Sequence, residues 1–274
     1  MSEQESVRVV RPRPWLAVSA LASREWTRML RQRGRLIGVL AQSIVLLILL
    51  GGGLYESFKH PIARSALNYP QFLLPGVILL VMLFAAIFST IGIIEDRTSG
   101  FLQGVTIAPI PAWALVLGHA LGGGTLAVAQ ATIMLPVAPI LGLHSSALGL
   151  LGAIGVMLWL ALAMTSLGIA MGWRMRSVQS YHTMMNLLLL PMWLLSGSIF
   201  PSAGAARWMQ TVMAINPLTY GDAALRRMLY LGQPELQGSL PGLTLSIAVI
   251  AGFGVFSFGL AVVAVGGRNR EGGP

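Results

Sequence analysis

The chain has 274 residues, of which 55% are apolar and 10% charged, with a mean hydropathy of +0.75 and a formal charge of +9. So little charge cannot solvate the surface of a water-soluble globule of this size. Cysteine is absent, which excludes disulfides, thiol catalysis and thiolate metal sites.

Arg8, Arg11, Arg13, Arg24, Arg28, Arg31, Arg33 and Arg35 precede the first apolar run, with no stretch resembling a cleavable signal peptide among them. That first run is therefore expected to stay as an anchor. At about 100° per residue, Trp15, Val18, Ala22, Trp26 and Met29 fall on one side of a helix over residues 15–35. Arg24, Arg28, Arg31 and Arg35 fall opposite, while Leu21 and Arg33 break the pattern. This predicts an amphipathic helix lying in the membrane interface, its tryptophans at headgroup level and its arginines toward water or anionic lipid. The plainer reading is a basic flank that fixes orientation.

Six runs without Asp, Glu, Lys or Arg follow, at 36–55, 72–94, 112–142, 147–172, 183–200 and 243–266. A helix needs about 20 residues to cross a hydrocarbon layer of about 30 Å. The runs are continuous rather than alternating, so strands of a membrane barrel are a poor fit. The expected fold is all-α: one polytopic membrane domain over residues 1–274 with six transmembrane helices. If the N-terminal arginines mark the cytoplasmic side, both termini are cytoplasmic, with thirteen basic residues on that side and five on the other. Topology then explains most of the positive charge, and no nucleic-acid partner is called for.

Between the second and third runs, residues 95–111 carry all their charge at the start, in Glu95, Asp96 and Arg97. A short helix is expected to open near Thr98 or Ser99 and to stop before Pro109. Phe101, Leu102 and Val105 would form an apolar knob, either docking another protein or tucked against the bilayer. Residues 201–242 mix Arg207, Trp208, Asp222, Arg226, Arg227 and Glu235 with apolar residues, and read as short outer-face helices broken at Asn216-Pro217. Asp222 and Arg226 are spaced to pair on a helix, a pair of small worth if exposed.

The chemistry available is sparse. A phosphate-cradling loop needs Gly-Lys-Ser/Thr, and the single lysine, Lys59, is followed by His60 and Pro61. No enzyme site, catalytic residue, metal site or bound cofactor is therefore expected in this chain. The six runs hold no carboxylate, which argues against ion coupling and leaves His119 as the titratable group at membrane depth. Its glycine-rich surroundings favour a helix-packing histidine bonded to a carbonyl over a proton relay. Gln42, Gln130 and Asn186 lie inside apolar runs and should find polar partners. Pro136, Pro139 and Pro191 are expected to kink or end their helices.

These features together resemble the permease subunits of type-2 ATP-binding-cassette (ABC) exporters. Three stretches carry the likeness: Ser23-Arg24-Glu25-Trp26-Thr27-Arg28 before the first run, Glu95-Asp96-Arg97-Thr98-Ser99-Gly100-Phe101-Leu102 with Pro109, and Leu195-Ser196-Gly197-Ser198-Ile199-Phe200-Pro201 followed by Asn216-Pro217-Leu218-Thr219-Tyr220 and Arg226. The resemblance implies an interfacial helix bearing Trp15, Trp26, Arg24, Arg28 and Arg31. It implies ATPase docking through Glu95, Asp96, Arg97, Gly100, Phe101, Leu102, Val105 and Pro109, and an outer-face motif of Asn216, Pro217, Tyr220 and Arg226. It further implies a cytoplasmic ABC ATPase subunit that binds ATP and Mg, a homodimer or a second permease, contact with membrane lipid, and a bacterial-type inner membrane. Two other classes stay open on the residues alone: a non-transporting membrane scaffold subunit, and a proton-coupled carrier resting on His119.

Overall fold

A computed structural model describes residues 13–53, 68–98, 110–175, 177–231 and 240–271. Among them the regular structure is entirely helical: α1 Pro14–Arg31, α2 Arg33–Gly53, α3 Tyr69–Thr98, α4 Ala112–Thr132, α5 Val137–Ile140, α6 Ala147–Gly172, α7 Val178–Leu194, α8 Arg207–Ile215, α9 Pro217–Leu229 and α10 Leu243–Glu271, with a 3-10 turn at Ser202–Gly204. Four stretches are long and apolar enough to cross a membrane: Tyr69–Arg97, Ala112–Ile140, Ala147–Gly172 and Leu243–Gly267. Ile37–Gly53 is apolar but shorter.

The centre of the bundle is α3, buried almost all round from Leu73 to Ile94, the pattern of a helix enclosed by others. It packs against α2, α4, α6 and α7, while α10 lies along α6, and α9 bridges α6 and α10. Pro75 inside α3 cannot donate to the carbonyl one turn earlier, at Gln71. The Tyr230 hydroxyl donates to that carbonyl instead, at 2.7 Å, so the proline leaves no orphaned acceptor.

Three element boundaries differ from those expected. The helix expected over 15–35 is broken at Gln32, α1 ending at Arg31 and α2 beginning at Arg33, which places Arg33 and Arg35 on α2. The third apolar run is interrupted: α4 ends at Thr132 and a turn over 133–136 precedes α5, because Pro136 and Pro139 supply no N–H to continue α4. The fifth run is helical from Val178 to Leu194 and not as far as residue 200. Gly197 there takes φ +88°, a conformation that ends a helix and favours glycine.

The helix α1 does not lie alone at the periphery; it packs along α4. Gly118 and Gly122, one turn apart, present bare backbone to it. A Cβ at Gly122 would sit 2.7 Å from Glu25 Cβ and 3.0 Å from the Ala22 carbonyl oxygen, and one at Gly118 would sit 2.8 Å from Leu21 Cβ. Small residues at that spacing let helices approach closely. Gly122→Ala should therefore push α1 off α4 at a cost of about 1–3 kcal/mol, measured as faster tryptic cleavage at Arg24 and Arg28 and a lower Tm in detergent.

Candidate functional site

The buried positions on α1 are Val18, Leu21, Glu25 and Met29. This corrects the expected face at Leu21, which belongs to the buried stripe. Trp15 is 68% exposed, its ring edge-on to Trp113 at 5.5 Å. The arginines are corrected as well, since Arg24 and Arg28 turn to the bundle rather than only to water or lipid.

They meet the end of α3. Arg24 makes a fork-to-fork pair with Asp96, Nη1 to Oδ2 at 2.7 Å and Nη2 to Oδ1 at 2.6 Å. Arg28 donates to Asp96 Oδ1 at 3.4 Å and also to Glu95. The Asp96 side chain is 6% exposed, so two guanidiniums hold a nearly buried carboxylate, and bidentate charge-assisted bonds of this kind fix geometry as well as energy. Arg28 lies over Gly92, where any side chain would strike its guanidinium. Arg97 points the other way and donates to the carbonyls of Trp173 and Met175, between α6 and α7. The last turn of α3 is thus tied to both α1 and the α6–α7 connection, immediately before residue 99.

A second tie joins α1 to α4. His119 Nδ1 lies 3.0 Å from Glu25 Oε1, with side chains 2% and 6% exposed. The expected carbonyl partner of His119 is replaced by a carboxylate from another helix. The next residue of α1, Trp26, donates from Nε1 to Thr125 Oγ1 of α4 at 2.9 Å.

At the other end of α3, roughly 36 Å away at 1.5 Å per helical residue, lies a second polar cluster. Asn216 caps α9: its Oδ1 accepts from Leu218 N at 3.0 Å and its Nδ2 donates to the carbonyls of Met192 and Leu195 at 2.6 and 3.1 Å. Pro217 takes the first position of the helix, where its missing N–H costs nothing. Tyr220 donates to the Ala214 carbonyl at 2.8 Å. Arg226 Nε donates to Asp222 Oδ2 at 2.5 Å, both side chains 2% exposed, and its guanidinium sits 4.0 Å above the Phe72 ring centre. Ser198 donates to Asp222 at 3.3 Å. Burial pushes the Asp222 carboxyl up from its ordinary value, against the opposing pull of Arg226 and Ser198. Burial likewise raises the Tyr230 phenol.

The structure thus brings Glu95 and Asp96 together with Arg24 and Arg28, turns Arg97 to the α6–α7 connection, and gathers Asn216, Pro217, Tyr220 and Arg226 into the opposite cluster. Trp26 joins the first through Thr125, and Arg31 is exposed at the end of α1. Gly100, Phe101, Leu102, Val105 and Pro109 lie outside the described residues. Of the amides in the apolar runs, Gln42 and Asn186 are exposed, and Gln130 is buried with no partner for its Oε1 among the described residues. Glu25 and Ser198 lie in the stretches that carry the likeness, but neither they nor Phe72 are singled out by the sequence as members of the site. Glu25 carried a signal, the four-residue steps that link it to Leu21 and Met29; the other two are joined to the site by tertiary packing alone.

The sequence between residues 17 and 230 matches the family model described as ABC-2 type transporter. Among curated proteins it is 24% identical over 208 residues to a putative transport permease, ycf38, of Cyanophora paradoxa, covering 75% of this chain and 71% of that one. It is 27% identical over 154 residues to the inner membrane transport permease YhhJ of Escherichia coli, covering 56% and 41%. It is 28% identical over 222 residues to nodulation protein J of Rhizobium leguminosarum, covering 80% and 83%. The chain thus spans most of two of these relatives and less than half the length of YhhJ. With a family match that takes in most of α1, all of α9 and both polar clusters between, the chain belongs to the ABC-2 type transporter family as a permease subunit.

Proposed function

We propose that this chain forms the membrane path of an ATP-driven exporter whose energy comes from a separate cytoplasmic ABC ATPase carrying ATP and Mg. The observation that carries the reading is the clamp at the end of α3. Asp96, Glu95 and Arg97 tie residue 98 to α1, α4 by way of α1, and the α6–α7 connection, so a force applied just beyond it reaches four elements at once. In this reading Glu95, Asp96 and Arg97 are positioning residues. The ATPase is touched by the segment they hold, through Gly100, Phe101, Leu102 and Val105, up to Pro109. Closure of the ATPase on ATP would tilt α3 and the helices packed on it, the rigid-body kind of change that opens and closes a path between helices.

The remaining assignments follow from the same reading. The four long apolar stretches, α2 and α7 make six crossings, with both termini cytoplasmic and α8 and α9 on the outer face of an inner (plasma) membrane. Two permeases pair in the complex. Support for pairing comes from the exposed amides of Gln42 and Asn186 on apolar helices, because an amide facing lipid gains by bonding across to a second chain.

Phe101→Asp should lower permease-dependent ATP hydrolysis about thirtyfold, the effect of losing one apolar anchor from a protein interface, while the permease still folds and inserts. Unchanged hydrolysis in that variant would remove residues 99–109 from the docking surface.

A further inference from the structure

Beside α1 lies an open groove of about 430 Å³ lined by Arg24, Thr27, Arg28, Arg31 and Gln32. The arginines and Gln32 offer N–H donors, the Thr27 hydroxyl is given to the Ser23 carbonyl at 3.0 Å, and none of the five side chains is acidic. Asp96 and Glu95 engage Arg24 and Arg28 from the bundle side, and among the described residues the groove's three guanidiniums meet these two carboxylates. Arg31 is exposed and has no acidic partner among the described residues. Gln32 caps the end of α1, and α2 begins at the next residue, Arg33.

What leads away from the groove is apolar. On α2, Val39, Ser43 and Leu47 are buried, while Ile37, Ile44 and Ile48 are 65%, 41% and 64% exposed. By helical spacing these three form one edge of the exposed surface and Gln42 the other. A donor-lined basic groove at the head of an exposed apolar edge is complementary to an anionic amphiphile: a phosphate at one end, hydrocarbon at the other.

We propose that this groove binds the phosphate headgroup of an anionic glycerophospholipid, with its acyl chains along the Ile37, Ile44 and Ile48 edge of α2. Because Arg24 and Arg28 are shared between the groove and Asp96, an occupied groove also stiffens the clamp at the end of α3. The proposal rests on the reading that α1 lies at the membrane–water boundary.

The test is native mass spectrometry of the purified permease with whatever co-purifies, titrated with phosphatidylglycerol or phosphatidylcholine. Phosphatidylglycerol should be retained about tenfold more strongly than phosphatidylcholine, and Arg31→Gln should lower its retention about tenfold, the loss of one charge-assisted bond to phosphate. Gln32→Ala, which touches no ion pair, should lower it in the same direction and so guards against a folding effect. Equal retention of the two lipids, or retention unchanged in both variants, would overturn the proposal. Displacement of the lipid by excess inorganic phosphate would make this a site for free phosphate and overturn it as well. Loss of a co-purifying protein in Arg31→Gln, with lipid retained, would make the groove a protein contact instead. Lipid retention and ATPase association are read in the same spectrum, so failure of this proposal and failure of the exporter reading are distinguishable.

Discussion

Asp222→Ala should cost about 3–5 kcal/mol of folding stability, the penalty for leaving a buried charge without its partner. Arg226 would then keep its full charge with its side chain 2% exposed. Its remaining neighbours are weaker: the Gly197 and Ser198 carbonyls at 3.4 Å and the Phe72 ring. The double replacement Asp222→Leu with Arg226→Met removes both charges and should cost far less than Asp222→Ala, since apolar residues of similar volume often replace a buried pair at little expense. Thermal unfolding of the three proteins in one detergent decides the matter. A Tm for Asp222→Ala equal to that of the parent would mean that the pair is not buried as described.

The second large effect is expected at Asp96. Asp96→Ala removes the shared acceptor of Arg24 and Arg28, while Glu95 still holds Arg28. Arg24 is one-third exposed, so water recovers part of the loss, and the stability cost should be about 1–3 kcal/mol. The functional cost should be larger than this suggests. A loosened clamp no longer transmits movement from residues 99–109, and permease-dependent ATP hydrolysis should fall about tenfold, as expected when positioning geometry slips. A double-mutant cycle with Arg24→Ala should give a coupling energy of about 1–3 kcal/mol. Additive effects of the two replacements would show that Arg24 and Asp96 act independently and would contradict the clamp.

Much of the helical architecture is legible in the sequence because the apolar runs are long and nearly free of charge, and the break at Asn216-Pro217 is written in local chemistry, a capping amide followed by a proline. The pairing of Asp222 with Arg226 is legible from its four-residue spacing. Its burial is not, because that depends on Phe72, Ser198 and Tyr230, brought together from three separate elements. Similarly, Glu25 and His119 stand 94 residues apart, and nothing local in either segment identifies the other as its partner. Leu21 belongs to the buried stripe of α1 for a related reason: Gly118 and Gly122 on α4 create a close backbone approach that buries Leu21 and Glu25. For Glu95 and Asp96 the sequence shows an acidic step before a basic residue. The structure adds that these carboxylates are engaged by α1, which changes their proposed role from contact to support.

The central claim, that this permease is driven by a separate ATPase, is tested most directly by purifying the tagged protein from its native membrane in mild detergent and quantifying what accompanies it. The account predicts a P-loop ATPase in near-equal amount, one nucleotide-binding domain for each permease. Reproducible absence of any such ATPase, with a different protein in its place, would contradict the exporter reading and favour a scaffold role for the chain.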